Sequence, residues 1–185
     1  MDTTNFDDDR GASAAWWART RDDAQRLIEW LFDQYRGEVT AADRILRLRD
    51  VYAAPGSRAH RLLTAIAGQE AEHAAWVAEL LRARGCAPEV RGAAEARYWQ
   101  RTLPGIADLE TGCAVGAHAE RMRLARITAI AADPTAPADI RAVFARILPQ
   151  EQFHERAFRS LATPESLEQT RAAHELGRRA LGLVA

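Results

Sequence analysis

Two octapeptides with one shared pattern carry the chemistry this chain can do. Ile66-Ala-Gly-Gln-Glu70-Ala-Glu-His73 returns 81 residues later as Ile147-Leu-Pro-Gln-Glu151-Gln-Phe-His154. Both read I-x-[G/P]-Q-E-x-x-H. A lone glutamate precedes each motif glutamate, Glu38 by 32 residues and Glu120 by 31. One Glu-x-x-His means little in a chain with 14 Glu and 5 His, but two in matched contexts mean more. The halves also align at Glu38 with Arg44-Ile45 and at Glu120 with Arg126-Ile127. Four carboxylates and two imidazoles suit iron, manganese or zinc. Glutamates that bridge can hold two such ions ~3.5–4 Å apart. The pattern contains no thiolate, which argues against a structural zinc site. Iron is the first expectation and manganese the second.

Long helices must position these groups. Turn signals predict helices from Asp22 or Asp23 to Ala53, from Arg58 to Arg84, from Gly105 to Ala132 and from Ala138 to Ala162. A shorter fifth helix follows from Thr163-Pro164 to about Leu183, and a short one is expected around Ala14-Ala15-Trp16-Trp17. Residues 86–104 read as a long connection, with Pro88, Gly92 and Pro104. Strand signals are absent, because β-branched alternation never lasts.

Apolar residues at helical spacing form one seam per helix. Glu38 lies among Leu31, Ile45 and Leu48, and Glu70 and His73 lie between Ile66 and Val77. Glu120 lies between Ala117 and Leu124, and Glu151 and His154 lie between Ile147 and Phe158. Buried carboxylates repel one another and need compensating charge. No arginine falls on these seams near them, so two divalent ions are the expected counter-charge. The midpoint of Glu38 and Glu70 is residue 54, beside Pro55-Gly56. That of Glu120 and Glu151 falls within Pro134–Pro137. Each antiparallel hairpin thus sets its lone glutamate level with its Glu-x-x-His. Residues i and i+3 share a helix face, so each motif's Glu and His point the same way.

This arrangement resembles the ferritin-like diiron-carboxylate superfamily, whose ligand pattern is the standard bundle metal site of that kind. The resemblance covers about residues 23–162. It implies an all-α, ferritin-like four-helix bundle of two antiparallel hairpins joined by a long crossover, here with a C-terminal fifth helix. The whole chain would be one domain, with a short N-terminal extension over residues 1–20. It also implies roles: Glu38 and Glu120 as terminal or shifting ligands, Glu70 and Glu151 as bridges, His73 and His154 each on one iron.

Subfamilies differ in detail. Rubrerythrins usually carry a further helix 3 glutamate, where this chain has Arg123. They often carry a rubredoxin module, for which Cys86 and Cys113 cannot suffice. Bacterioferritins share the ligand set but usually have a haem Met beside the helix 2 glutamate, where Gln69 and Ala71 stand. They also usually have a Tyr at the position of Ile45. Demethoxyubiquinone hydroxylases are similar at Gly37-Glu38 and at Gln69-Glu70-x-x-His73.

Other residues lie close to these ligands along the chain. Tyr35, one turn before Glu38, and Cys113, two turns before Glu120, are candidate pocket residues, with packing the simpler role for each. Pro149 is expected to kink its helix. Glu72 should face solvent. His60, His118 and His174 fall off the metal seams and read as surface or supporting groups. The five tryptophans should pack the bundle.

Composition narrows the function classes. The chain has 185 residues, net charge -1 and arginine as its only basic residue type. No basic patch suggests nucleic acid. No apolar run reaches the ~18 residues of a membrane span, and the acidic start lacks a signal-peptide core. Two isolated cysteines fit a reducing cytoplasm. The resulting expectation is a cytoplasmic monomer or homodimer holding two irons. It would activate dioxygen or peroxide to oxidise or hydroxylate a small organic substrate, with a separate electron donor. The alternatives are a ferroxidase or iron store of bacterioferritin type, and a bundle that keeps metal for structure alone.

Overall fold

A computed structural model describes residues 4–91 and 105–180 of the chain. The described residues are helical, with no strand among them: α1 (Thr4–Arg21), α2 (Ala24–Tyr52), α3 (Arg58–Arg82), α4 (Leu109–Ala132), α5 (Ala138–Leu161) and α6 (Pro164–Ala180). The all-α bundle implied by the motif is present. Its hairpins are α2–α3 and α4–α5, which pack on each other.

Helix boundaries follow local chemistry. The Asp23 side chain accepts from the N–H groups of Gln25 and Arg26 and so caps α2. Ser57 caps α3 and Asp108 caps α4. The third bundle helix therefore starts at Leu109, later than the expected Gly105, because the first capping side chain is Asp108. Past the end of α3, Gly85 takes φ +73°, a left-handed conformation that suits glycine. Pro149 lies inside α5, which stays α-helical on both sides of it with no π-turn. Of the expected crossover over residues 86–104, residues 92–104 lie outside the described residues, as does Trp99.

The N-terminal segment differs from expectation. Instead of a short helix near Trp16, residues 4–21 form a full helix that packs on α4 and α2. Trp17 is 2% exposed, and its indole N–H donates to Asp133 at 2.9 Å. Trp16, Trp17 and Trp30 pack edge-to-face or tilted at 5.2–6.2 Å, and Trp30 meets Phe144 at 5.2 Å. Three packed tryptophan rings and a partly buried hydrogen bond outweigh an acidic start with little amphipathic pattern.

The interior is divided along the bundle axis. One apolar cluster holds Trp17, Leu31, Val77, Leu81, Ile127, Ile140 and Phe144. The other holds Ile45, Leu63, Ile66, Cys113, Ala117 and Phe158. Every bundle helix contributes to both, and on each helix the acidic residue lies between its two contributions. The second half is tightly closed. A Cβ on Gly116 would stand 2.8 Å from the Phe158 ring, so only glycine lets α4 approach α5 there.

Candidate metal centre

Between the two apolar halves lies one polar layer. Glu38 on α2, Glu70 and His73 on α3, and Glu151 and His154 on α5 are 0% exposed, and Glu120 on α4 is 4% exposed. Their donor atoms form two overlapping groups: Glu38, Glu70, His73 and Glu151, and Glu70, Glu120, Glu151 and His154. Within each group the atoms lie within 4.8 Å of one another. All six residues picked out by the repeat are thus brought together by the fold.

The glutamates shared by the groups face both ways. Glu70 turns Oε1 to His154 Nδ1 at 3.1 Å and Oε2 to His73 Nδ1 at 3.8 Å. Glu151 turns Oε1 to His73 Nδ1 and Oε2 to His154 Nδ1, both at 3.4 Å. Each carboxylate therefore offers one oxygen to each half of the layer.

The outer edge of each imidazole is held from the opposite repeat. His73 Nε2 lies 2.7 Å from Gln150 Oε1, and His154 Nε2 lies 2.8 Å from Gln69 Oε1. An amide oxygen only accepts, so Nε2 carries the hydrogen and Nδ1 faces the carboxylates. The glutamine before each motif glutamate was visible in the repeat. Its partner was not, because that partner is 77 or 85 residues away.

The expectation that no arginine neutralises the cluster is corrected. Arg123 Nη2 bonds Glu38 Oε1 and lies 3.1 Å from Glu151 Oε1, while Nη1 lies 3.6 Å from Glu70 Oε2. Arg123 follows Glu120 by three residues on α4, so it shares that helix face, and its long side chain reaches into the layer. Its side chain keeps 25% exposure.

These contacts split the protonation of the layer. Burial pushes Glu38 up, but Arg123 and His73 outweigh it and hold Glu38 down at about 2. Burial likewise opposes ionisation of Glu151, but Arg123 and both histidines hold it well below the usual carboxylate range. Glu70 and Glu120 are raised well above that range by burial and by the neighbouring Glu151 charge. His73 is pushed up to about 10, because the Glu151 and Glu38 contacts exceed the lowering effect of burial.

The residues fit a metal centre. Both oxygens of Glu70 and Glu151, one oxygen each of Glu38 and Glu120, and Nδ1 of both histidines are buried without a hydrogen-bond partner. Buried polar atoms are rarely left so, and these converge on one place with the donor types of a hard or borderline cation.

The remaining candidates lie elsewhere. Tyr35 is half-buried against the Trp17 and Phe144 half, and Cys113 is fully buried in the Phe158 half. The polar layer stands between those halves, so the two side chains do not line one shared pocket. Burial, then the Glu110 charge, pushes the Cys113 thiol up to about 12, which favours the protonated thiol. Glu72 is exposed, as its spacing predicts. His118 and His174 are buried and stack at 4.4 Å, and His118 Nε2 meets the Leu167 carbonyl at 3.1 Å, tying α6 to α4.

A helical bundle with this carboxylate–histidine layer defines a ferritin-like protein of the diiron-carboxylate class. The rubrerythrin family model matches residues 29–162, and the chain belongs to that family. No curated protein and no solved structure matches it. No described helix is long and apolar enough to cross a membrane.

Proposed function

We propose that this chain is a dinuclear non-haem iron oxidoreductase that activates dioxygen or peroxide and oxidises or hydroxylates a small organic substrate. It would work in the cytoplasm as a monomer or homodimer, drawing electrons from a separate donor. The observation that carries the reading is the pair of shared carboxylates, Glu70 and Glu151, each with one oxygen toward each histidine. Glu38 with His73 would complete one ligand group, and Glu120 with His154 the other. Bound there, two irons would supply the redox chemistry for reducing dioxygen or peroxide.

The chain's own residues account for the setting. Gln69 and Gln150 each accept the hydrogen of one Nε2 and so turn each Nδ1 inward, where it could hold a metal ion. The apolar halves exclude water from both ends of the layer. Arg123 supplies positive charge at the partly exposed side of the layer.

Anaerobic loading with ferrous iron should give about two irons per chain. Zero or one tightly held ion would overturn the dinuclear reading. Light scattering and iron uptake separate enzyme from store. A particle of about 20 to 40 kDa that consumes oxygen without mineralising is expected. A shell of about 500 kDa taking up hundreds of irons would favour the bacterioferritin-type reading.

A further inference from the structure

The internal repeat makes the two ligand groups near-equivalent, and one residue breaks that equivalence. Glu38 corresponds to Glu120, Arg44 to Arg126 and Ile45 to Ile127, so the counterpart of Arg123 is Ala41. Alanine cannot reach the layer, whereas Arg123 touches Glu38, Glu70 and Glu151. Those are all three carboxylates of the group that contains His73. The other group shares Glu70 and Glu151, but its own glutamate, Glu120, forms no ion pair with Arg123 among the described contacts.

Resting on the dinuclear reading, we propose that Arg123 orders metal loading: the Glu120–His154 subsite fills first, and the Glu38–His73 subsite fills only as the guanidinium gives up Glu38. A cation and a guanidinium compete for the same carboxylate oxygens, and a unit charge at contact distance opposes a second cation strongly in a partly buried site. Arg123 has a way out, because its side chain is 25% exposed and its apolar stem can lie along α4 while the head meets water. Fully buried Glu38 has no such freedom and must wait for that release.

The test is an equilibrium titration with Mn(II), counting free ion by its paramagnetic resonance signal. The wild-type chain should bind two ions in steps separated by about tenfold or more. Glu120→Gln should remove the tighter step, and Glu38→Gln the weaker one. Arg123→Gln, neutral and of similar shape, should tighten the second step by about tenfold and draw the steps together, while Arg123→Lys should keep them apart. Repulsion between the two ions is common to all these proteins, so the comparison isolates the guanidinium. An unchanged separation in Arg123→Gln, or loss of the tighter step in Glu38→Gln, overturns the proposal while leaving a dinuclear site intact. Failure of the wild-type chain to bind Mn(II) at all overturns the dinuclear reading and the proposal together.

Discussion

His154 Nε2, from the second repeat, sits 2.8 Å from Gln69 Oε1, from the first, and His73 makes the reciprocal contact with Gln150 at 2.7 Å. The Gln-Glu pair in each motif thus does two jobs one residue apart. The glutamate points into the layer, and the glutamine reaches across to orient the other motif's histidine.

Cross-repeat bracing makes a distinct prediction. Gln69→Leu should weaken the ion held with His154, and Gln150→Leu the ion held with His73, each by about 10–100-fold. Chelator competition on the two variants measures this, while the metal-free melting temperature should change little. Equal weakening of both ions in either variant would contradict the pairing.

Metal should stabilise the fold through the layer alone. At about 100 times its dissociation constant a bound ion adds about 2.7 kcal/mol. Glu70→Ala should lose most of the metal-induced rise in melting temperature, because Glu70 serves both ligand groups. Glu72→Ala should keep it, since Glu72 is exposed two residues away. Thermal unfolding with and without metal compares them, and equal losses would refute the facing assignment.

The anchoring of α1 should depend on acid. Asp133 accepts from Thr135, from Arg21 at 2.5 Å and from the Trp17 indole. Its carboxyl is held at about 2, first by the Thr135 hydroxyl, against partial burial and with help from Arg21 and Trp17. A depressed carboxyl contributes stability above its unfolded value and loses it as pH falls through the folded one. That contribution should therefore be intact above about pH 4 and vanish toward about pH 2. Asp133→Asn should lack it already at neutral pH and show a flatter acid limb. Tryptophan fluorescence during acid titration reports it through Trp17.

Much of the layer was legible in the chain itself. Glu-x-x-His spacing puts two donors on one helix face, and equal distances from a turn put two helices level. Both are consequences of a regular helix and a tight hairpin, so Glu38, Glu70, His73, Glu120, Glu151 and His154 could be found without coordinates. The start of α2, expected at Asp22 or Asp23 and capped by Asp23, is local in the same way. Tertiary structure alone decided what depends on reach across helices. A seam drawn through apolar positions leaves out a long polar side chain one turn from a ligand, so Arg123 was not expected among the carboxylates, yet it meets three of the four glutamates. The glutamine–histidine pairs join residues whose spacing in the chain is arbitrary. Tyr35 and Cys113 each stand near a ligand along their own helices, yet the layer separates them. The docking of α1 rests on aromatic contacts and one bond to Asp133, more than 110 residues away. Periodicity encodes direction on a single helix. Only the packed bundle sets which directions meet.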